Sequence, residues 1–481
     1  YHIEKIEFTE DNGLNAHINT SSSGNKALVY ADNFNLIEGL SYGTYSNWTG
    51  VLHYQRYANN VLTYIGLSPG SAYPVSDFIS MSGRSAAIGS NFSDGGLTIL
   101  EKKEKGGDAG QGMVAFVSTS YNTGYQHGDI KGAFLSDTST TNAVGTELIT
   151  NGTFGSDVSG WTTGTSTITY NSGAANLARN SAGAAANEIY QNISGLTVGQ
   201  KYLISIKVTA RSNYVSVYFD PDGSDPIAEP ILATATGTYT VIYTATQTGG
   251  KFSINATGSS TATATVDDIS MRVAELDRSV NNNGLAVYGT ITKSAVATGA
   301  ELVGYSGFSA SNYLEQPYNS DFNFGTGSFS LSGWFKTNST SGGGAYMYRG
   351  SSDGDESFRI YLDSSNYGVY FDYGGGSAYS YLTNASDRTA IWNQEWNQFV
   401  CHATASGKVK IYVNGVSKDI TVVGAPPSSF SSTNTNVLHF GTNYSGAVPF
   451  PGSLALFRVS ASIPSPEQIK KIYEDEKVLF Q

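Results

Sequence analysis

The sequence predicts an all-β chain built as a multidomain array of β-sandwich or jelly-roll modules, with a propeller-blade-like N-terminal β region and a short C-terminal helix. Three observations predict it. Glycine (55) and tyrosine (32) are abundant among 481 residues while charged residues make up only 14%, a mixture that favours short strands and many turns over helices. The last third carries an alternating strand, GSFSLSGWFKT (Gly327 to Thr337), with Trp334 directed inward, and an exposed hairpin, VKIYVNGVSKDI (Val409 to Ile420), closed by Asn414-Gly415. The stretch from Pro449 to Glu476 then runs from a strand into one amphipathic helix, PEQIKKIYEDE. A chain of this length suits about three domains.

Taken in order, residues 1–138 read as a β-rich, propeller-blade-like region. FISMSGRSAAIGSNFSDGGLTILEKKE (Phe78 to Glu104) alternates strand, turn, a strand ending at Ile88-Gly89, a Gly95-Gly96 turn and a third strand. LTYIGLSPGSAYPVSDFISM (Leu62 to Met81) before it has a similar rhythm, and two such units cannot close a propeller, so further blades lie upstream or the strands form a partial sheet. A polar joint, SDTSTTNAVG (Ser136 to Gly145), precedes a middle unit at 146–274, and a second, AELDRSVNNNGLAVYGT (Ala274 to Thr290), precedes the last unit at 285–481.

A net charge of -12 with no Lys/Arg cluster excludes wrapping of nucleic acid, because nothing here neutralises a row of phosphates. Cys401 is the only cysteine, so no internal disulfide forms, and QFVCHATA reads as a buried strand without the base that a catalytic thiol needs. No apolar run reaches the roughly 18 residues of a membrane span. A start at Tyr1 instead of methionine leads to the expectation of a segment of something longer.

The last unit, through SFSLSGWF, Trp396-Asn397-Gln398-Phe399, Tyr412-Val413-Asn414-Gly415 and Gly452-Ser453-Leu454-Ala455, resembles the laminin-G-like or concanavalin-A-like lectin fold, which implies binding or display. The middle unit, through Asn151-Gly152-Thr153-Phe154, Trp161, GLTVGQKYLISIKV (Gly195 to Val208) and Val266-Asp267-Asp268-Ile269, resembles a galactose-binding-like jelly roll of the carbohydrate-binding-module type. The whole order resembles virion structural or tail-fibre proteins of tailed bacteriophages. That resemblance implies an extracellular or virion location and assembly with its own copies or other virion proteins.

Catalytic patterns are weak. The Glu-x-Asp-x-x-Glu strand of laminarinase-type relatives of the lectin fold is missing, and Glu474-Asp475-Glu476 reads as a solvated helix face. Gly350-Ser351-Ser352-Asp353-Gly354 matches Gly-x-Ser-x-Gly but falls in a polar loop, without the strand-to-helix elbow that chemistry needs. His2, His17, His53, His127, His402 and His439 have no zinc spacing. Structural calcium is the one cofactor to expect. By resemblance, Asn151 and Asp268 would meet at it; the alternative is that Asp267 and Asp268 blunt an edge strand. The loop Asp220-Pro221-Asp222-Gly223-Ser224-Asp225 reads as a plain turn.

Sugar binding would use aromatic faces stacked on pyranose rings. Candidates are Tyr190, Arg211, Tyr214 and Tyr218 in the middle unit, where the alternation of VSVYFD sets Tyr218 opposite Phe219, and Tyr367 and Tyr370 of the Tyr361–Tyr373 hairpin in the last. With 32 tyrosines, half or more serve cores or edges, and Trp161, Trp334 and Trp396 read as core anchors. Two functions follow. The first is a non-catalytic structural and adhesive protein, a phage virion or tail-fibre component holding host-surface glycans. The second is the carbohydrate-binding portion of a secreted polysaccharide-active enzyme or a bacterial surface adhesin.

Overall fold

The computed structural model describes residues 129–481 apart from 181–187, 221–230, 280, 282–283, 339–342, 353–357, 364–367, 374–377, 383, 406–407 and 425–434. Residues 220, 363, 368, 370, 372–373, 378–382 and 423–424 are described by backbone alone. So are the upstream strands Ala31–Asp32, Asn35–Leu36, Gly50–Arg56, Val61–Leu67, Gly96–Lys102, Gly112–Val117 and Asn122–Gly128. Gly50–Arg56 pairs with Val61–Leu67, and Gly96–Lys102, Gly112–Val117 and Asn122–Gly128 form an antiparallel three-stranded sheet. Of the blade expected in Phe78 to Glu104, only the strand Gly96–Lys102 falls within the described residues. The chain is all-β, with the terminal helix Pro466–Glu476 and a seven-residue helical turn, Ala385–Ile391, that the sequence reading did not anticipate.

Residues 146–275 fold as a two-layer sandwich. One sheet orders Thr162–Thr163, Ile189–Ser194, Gly249–Thr257, Tyr214–Asp220 and Ile231–Ala233. The other runs Thr167–Tyr170, Ala175–Ala178, Thr263–Glu275, Lys201–Arg211 and Gly237–Thr244. Strict alternation drives this arrangement: Val215, Val217 and Phe219 from one layer and Ile204, Ile206 and Val208 from the other close one core. The Asn151–Phe154 turn holds Asn151 and Phe154 at positive φ (50° and 44°) and buries Phe154 beside Trp161, 5.9 Å between ring centroids.

The C-terminal sandwich has a front sheet in which Phe329–Thr337 lies between Trp396–Ala403 and Gly452–Ser460, continued by Val409–Val413 beyond Trp396–Ala403. Its back sheet runs Leu285–Ala295, Tyr313–Gln316, Leu438–Phe440, Gly343–Arg349, Phe358–Asp363, Gly368–Tyr373, Ala378–Leu382 and Ile420–Gly424. Residues upstream of the middle sandwich complete this unit. Ile130–Phe134 adds to the free side of Gly452–Ser460, Ala143–Gly145 pairs with Gly289–Ile291, and Phe134, Leu135 and Ala143 join its core. The middle sandwich is thus inserted in sequence between strands that belong to one C-terminal core.

Three expectations about this unit are corrected. Trp334 does not face the core between the sheets: Phe329, Leu331 and Phe335 alternate into the core, which leaves Trp334 on the opposite face of the strand, packed outward against Tyr473 and Phe480. The helix end covers it, and the strand is buried on both faces. Glu476 is not on a solvated face; it is fully buried, accepting Arg458 on Oε1 and Trp334 Nε1 on Oε2 at 2.7 Å. The same helix covers the Asn414-Gly415 turn, where a Cβ on Gly415 would sit 3.1 Å from Tyr473, so Gly415 is buried and Asn414 half-buried while Val416 beyond them stays exposed. Ser465 caps the helix through Gln468 N, and Pro466 stands at its first turn.

Breaking the Arg458–Glu476 pair from one side strands a charge in an apolar site. Arg458→Met and Glu476→Ala are each expected to cost ~3–5 kcal/mol in urea denaturation, and the double replacement less than their sum; additive losses would refute the pairing. His402, buried beside Tyr412, is pushed down to about 4 by burial and by the Lys410 charge. Its folded value lies below its ordinary 6.5, so its contribution is present above 6.5 and lost as pH falls from 6.5 toward 4. The slope approaches ~1.4 kcal/mol per pH unit. Thermal midpoints of the wild type and His402→Gln should diverge in that window, and parallel curves would remove His402 as the cause.

Candidate functional site

On the five-stranded sheet of the middle sandwich, even-numbered Phe252, Ile254 and Ala256 point into the core, which turns Lys251, Ser253 and Asn255 outward. The register sets Tyr190 opposite Ser253 and Ser253 opposite Tyr218, so two tyrosines flank a buried serine in one cross-strand row. Neighbouring strands lie about 4.8 Å apart, placing the two tyrosine backbones about 10 Å from each other. Lys251 Nζ sits 4.4 Å over the Tyr190 ring and pairs with Glu188. Tyr214 shares the face at its far end, opposite Thr257, and is 41% exposed. Such a row offers aromatic surface at either side of a hydroxyl, with an ammonium beside it.

The other candidates fall elsewhere. Arg211 ends a strand of the second sheet, and its Nη1 donates to Asn213 O, so it closes the turn into Tyr214–Asp220. Tyr367 lies outside the described residues, as do residues 221–225 of the acidic turn and Asp353-Gly354 of the Gly-x-Ser-x-Gly match. Tyr370 takes a register row between Tyr361 and Tyr381. Asn151 and Asp268 stand on adjacent backbone, since Ile269 N donates to Gly152 O. Their side chains diverge: Asn151 Nδ2 donates to Asp157 and Ser159, while Asp268 pairs with Lys207 at 3.1 Å. These two side chains as placed do not fit a shared calcium cage, and among the described residues no group of three or more His, Cys, Asp or Glu is placed to hold a metal ion. Cys401 is fully buried in the C-terminal core, and burial pushes its thiol well above the ordinary range.

The sequence reading missed Lys251 and Ser253, although the alternation of GGKFSINAT carries both. It also missed the charges at the junction of the two sandwiches. Lys293 Nζ lies 2.5 Å from Asp137 and 2.9 Å from Glu275, and Tyr305 OH donates to the second Glu275 oxygen at 2.8 Å. Burial pushes Glu275 above the usual carboxylate range, more than Lys293 brings it down. Burial works against the Lys293 ammonium, but the two carboxylates outweigh it and hold its pKa above the ordinary value. A second bridge stacks Tyr288 on Tyr313 at 4.5 Å, with Arg272 4.1 Å over Tyr288 and hydrogen-bonded to Gly145 O. Lys293→Met leaves Glu275 buried without its cation, an expected loss of ~3–5 kcal/mol. An unchanged urea midpoint would show that the pair carries no structural weight.

Residues 308–470 match the family described as the concanavalin A-like lectin/glucanases superfamily (Laminin_G_3). Comparison with curated proteins gives no match. Among solved structures, domain 4 of the extracellular GH43 arabinanase AbnA from Geobacillus stearothermophilus, in complex with arabinotriose, is similar at 15% identity and a TM-score of 0.31, over 41% of this chain and 91% of its own. The CBM40 module of the Ruminococcus gnavus IT-sialidase is similar at 17% identity and a TM-score of 0.24, over 31% of this chain and 83% of its own. The binding domain of Paraclostridial Mosquitocidal Protein 1 is similar at 14% identity and a TM-score of 0.32, over 41% of this chain; the match spans 49% of that chain. No helix among the described residues is long and apolar enough to cross a membrane. The matched span lies within the C-terminal sandwich.

Proposed function

We propose that this chain is a non-catalytic, extracellular glycan-binding protein whose middle sandwich holds saccharide chains across the Tyr190–Ser253–Tyr218 row. That row is the observation carrying the reading: two aromatic side chains on one outward face, a serine hydroxyl between them, and Lys251 beside Tyr190. Sugar rings present C–H faces to aromatics and hydroxyls to polar neighbours, and this surface supplies both. The concanavalin A-like domain supports the same reading.

A shallow face of this kind suits weak, repeated contact. A millimolar site is worth only about -4 kcal/mol, and linked copies raise avidity by about 10²- to 10⁴-fold without new contacts. We place the chain in a homo-oligomeric virion appendage or tail fibre that attaches to host-surface glycans. The same face equally serves the binding portion of a secreted polysaccharide-active enzyme or a bacterial surface adhesin, and sizing of the purified chain separates them, since a discrete oligomer favours the appendage and a monomer the detached module. For the face itself, Tyr190→Ala and Tyr218→Ala are each expected to weaken retention in affinity electrophoresis about three- to tenfold, the scale of a lost aromatic contact. Their melting temperatures should stay at the wild-type value. Full retention in both variants, on every polysaccharide that retards the wild type, would overturn the proposal.

A further inference from the structure

The junction between the two sandwiches encloses a cleft of about 700 Å³. One wall is the turn Gly195–Gln200 leading to Tyr202, with the end of strand Thr263–Glu275. The other is the segment from Ser136 to Thr146, which links two strands of the C-terminal unit. Glu275, Lys293 and Tyr305, all buried, close its floor. The volume falls within the roughly 300–1,000 Å³ of small-molecule sites, which favour such domain junctions.

One buried side-chain hydroxyl in this cleft lacks a partner among the described residues. Ser136 is 2% exposed and lines the cavity, and among the described residues its Oγ has no hydrogen-bond partner. A buried unpaired hydroxyl costs about 1–3 kcal/mol, a loss recovered when a ligand hydroxyl bonds to it. The ammonium on the floor is already matched by Asp137 and Glu275. The rest of the lining combines two further cations, Lys201 and the buried Arg278, with hydroxyl, amide and methyl groups from Ser139, Thr141, Asn142, Val144 and Gln200.

We infer that this cleft is a second binding site, taking the end of a saccharide whose terminal hydroxyls bond to Ser136 and its neighbours. The open tyrosine face holds a chain from the side, whereas a cleft closed at its floor accepts a terminus. The two sites differ in what they read, because the cleft requires a free end. Its ligand touches both sandwiches at once.

The test is saturation-transfer difference NMR on the full chain, with cellotriose, maltotriose, xylotriose and chitotriose as probes. Tyr190→Ala/Tyr218→Ala removes the open face. Val144→Trp, from a position 53% exposed, fills the mouth of the cleft, and Ser136→Ala removes the unpaired hydroxyl with little change of volume. At least one probe should still receive transfer from the face double variant. Its affinity on that background should fall at least about tenfold with Val144→Trp and about three- to tenfold with Ser136→Ala, the range of one lost hydrogen bond. Loss of all transfer in the face double variant alone would overturn the cleft site and leave the tyrosine face standing. Transfer that survives both cleft substitutions would also overturn it, and no transfer from the wild type to any probe would count against both sites. Since a tryptophan can disturb folding, the Ser136→Ala result decides wherever Val144→Trp melts below the wild type.

Discussion

The pairing of Ile130–Phe134 with Gly452–Ser460 is the constraint on which the rest of the structure depends. It joins segments more than 300 residues apart, and Ser460 Oγ donates to Asp129 O at the same seam. Closing a flexible loop of that length is costly in entropy, although the cost grows only logarithmically with length. The inserted sandwich reduces it. Residues 146–275 bury their own core, and their two ends emerge side by side, since Leu148 N donates to Met271 O. Once that unit has folded, the C-terminal core has only a short stem to close.

That stem is held by more than backbone. Ala143–Gly145 pairs with Gly289–Ile291, and Ala274 and Glu275 pair with Ala286 and Leu285. Lys293 then ties a carboxylate from each side of the stem, while Arg272 reaches from the inserted sandwich to the Tyr288–Tyr313 stack. Buried ion pairs give little net stability when their desolvation is counted, yet they penalise every arrangement that separates them. Their effect at this junction is to select one orientation of the two sandwiches, and the cleft is the space which that orientation leaves.

Local pattern made much of this legible. GSFSLSGWFKT is a strand, Asn414-Gly415 is a hairpin turn with both residues at positive φ, and PEQIKKIYEDE is a helix. VSVYFD alternates as read, with Phe219 inside and Tyr218 out. What stayed hidden needed partners distant in sequence. Trp334 reads as a core residue until the terminal helix is set against the outer face of its strand. Glu476 looks like one more acidic residue until Arg458 and Trp334 are placed against it. Ile130–Phe134 looks like the end of the N-terminal region because its neighbour in the sheet, Gly452–Ser460, comes near the far end of the chain, β-pairing being fixed by contact and not by proximity along the chain. At the tyrosine face, alternation gives the parity of each strand but not their register, so it points Tyr190 and Tyr218 outward without aligning them on Ser253.

Perturbed carboxylates ordinarily mark reactive sites, and here two buried ones are raised by burial, Glu275 and Glu476. Both have each oxygen engaged: Glu275 holds Lys293 and Tyr305, Glu476 holds Arg458 and Trp334. A general acid or nucleophile needs an oxygen able to reach substrate. These two instead fasten one element to another, the terminal helix to the front sheet and the inserted sandwich to its stem. The same chemistry that would tune a catalytic acid is used to hold surfaces in place, which suits the proposed presentation of a face and a cleft at a fixed angle.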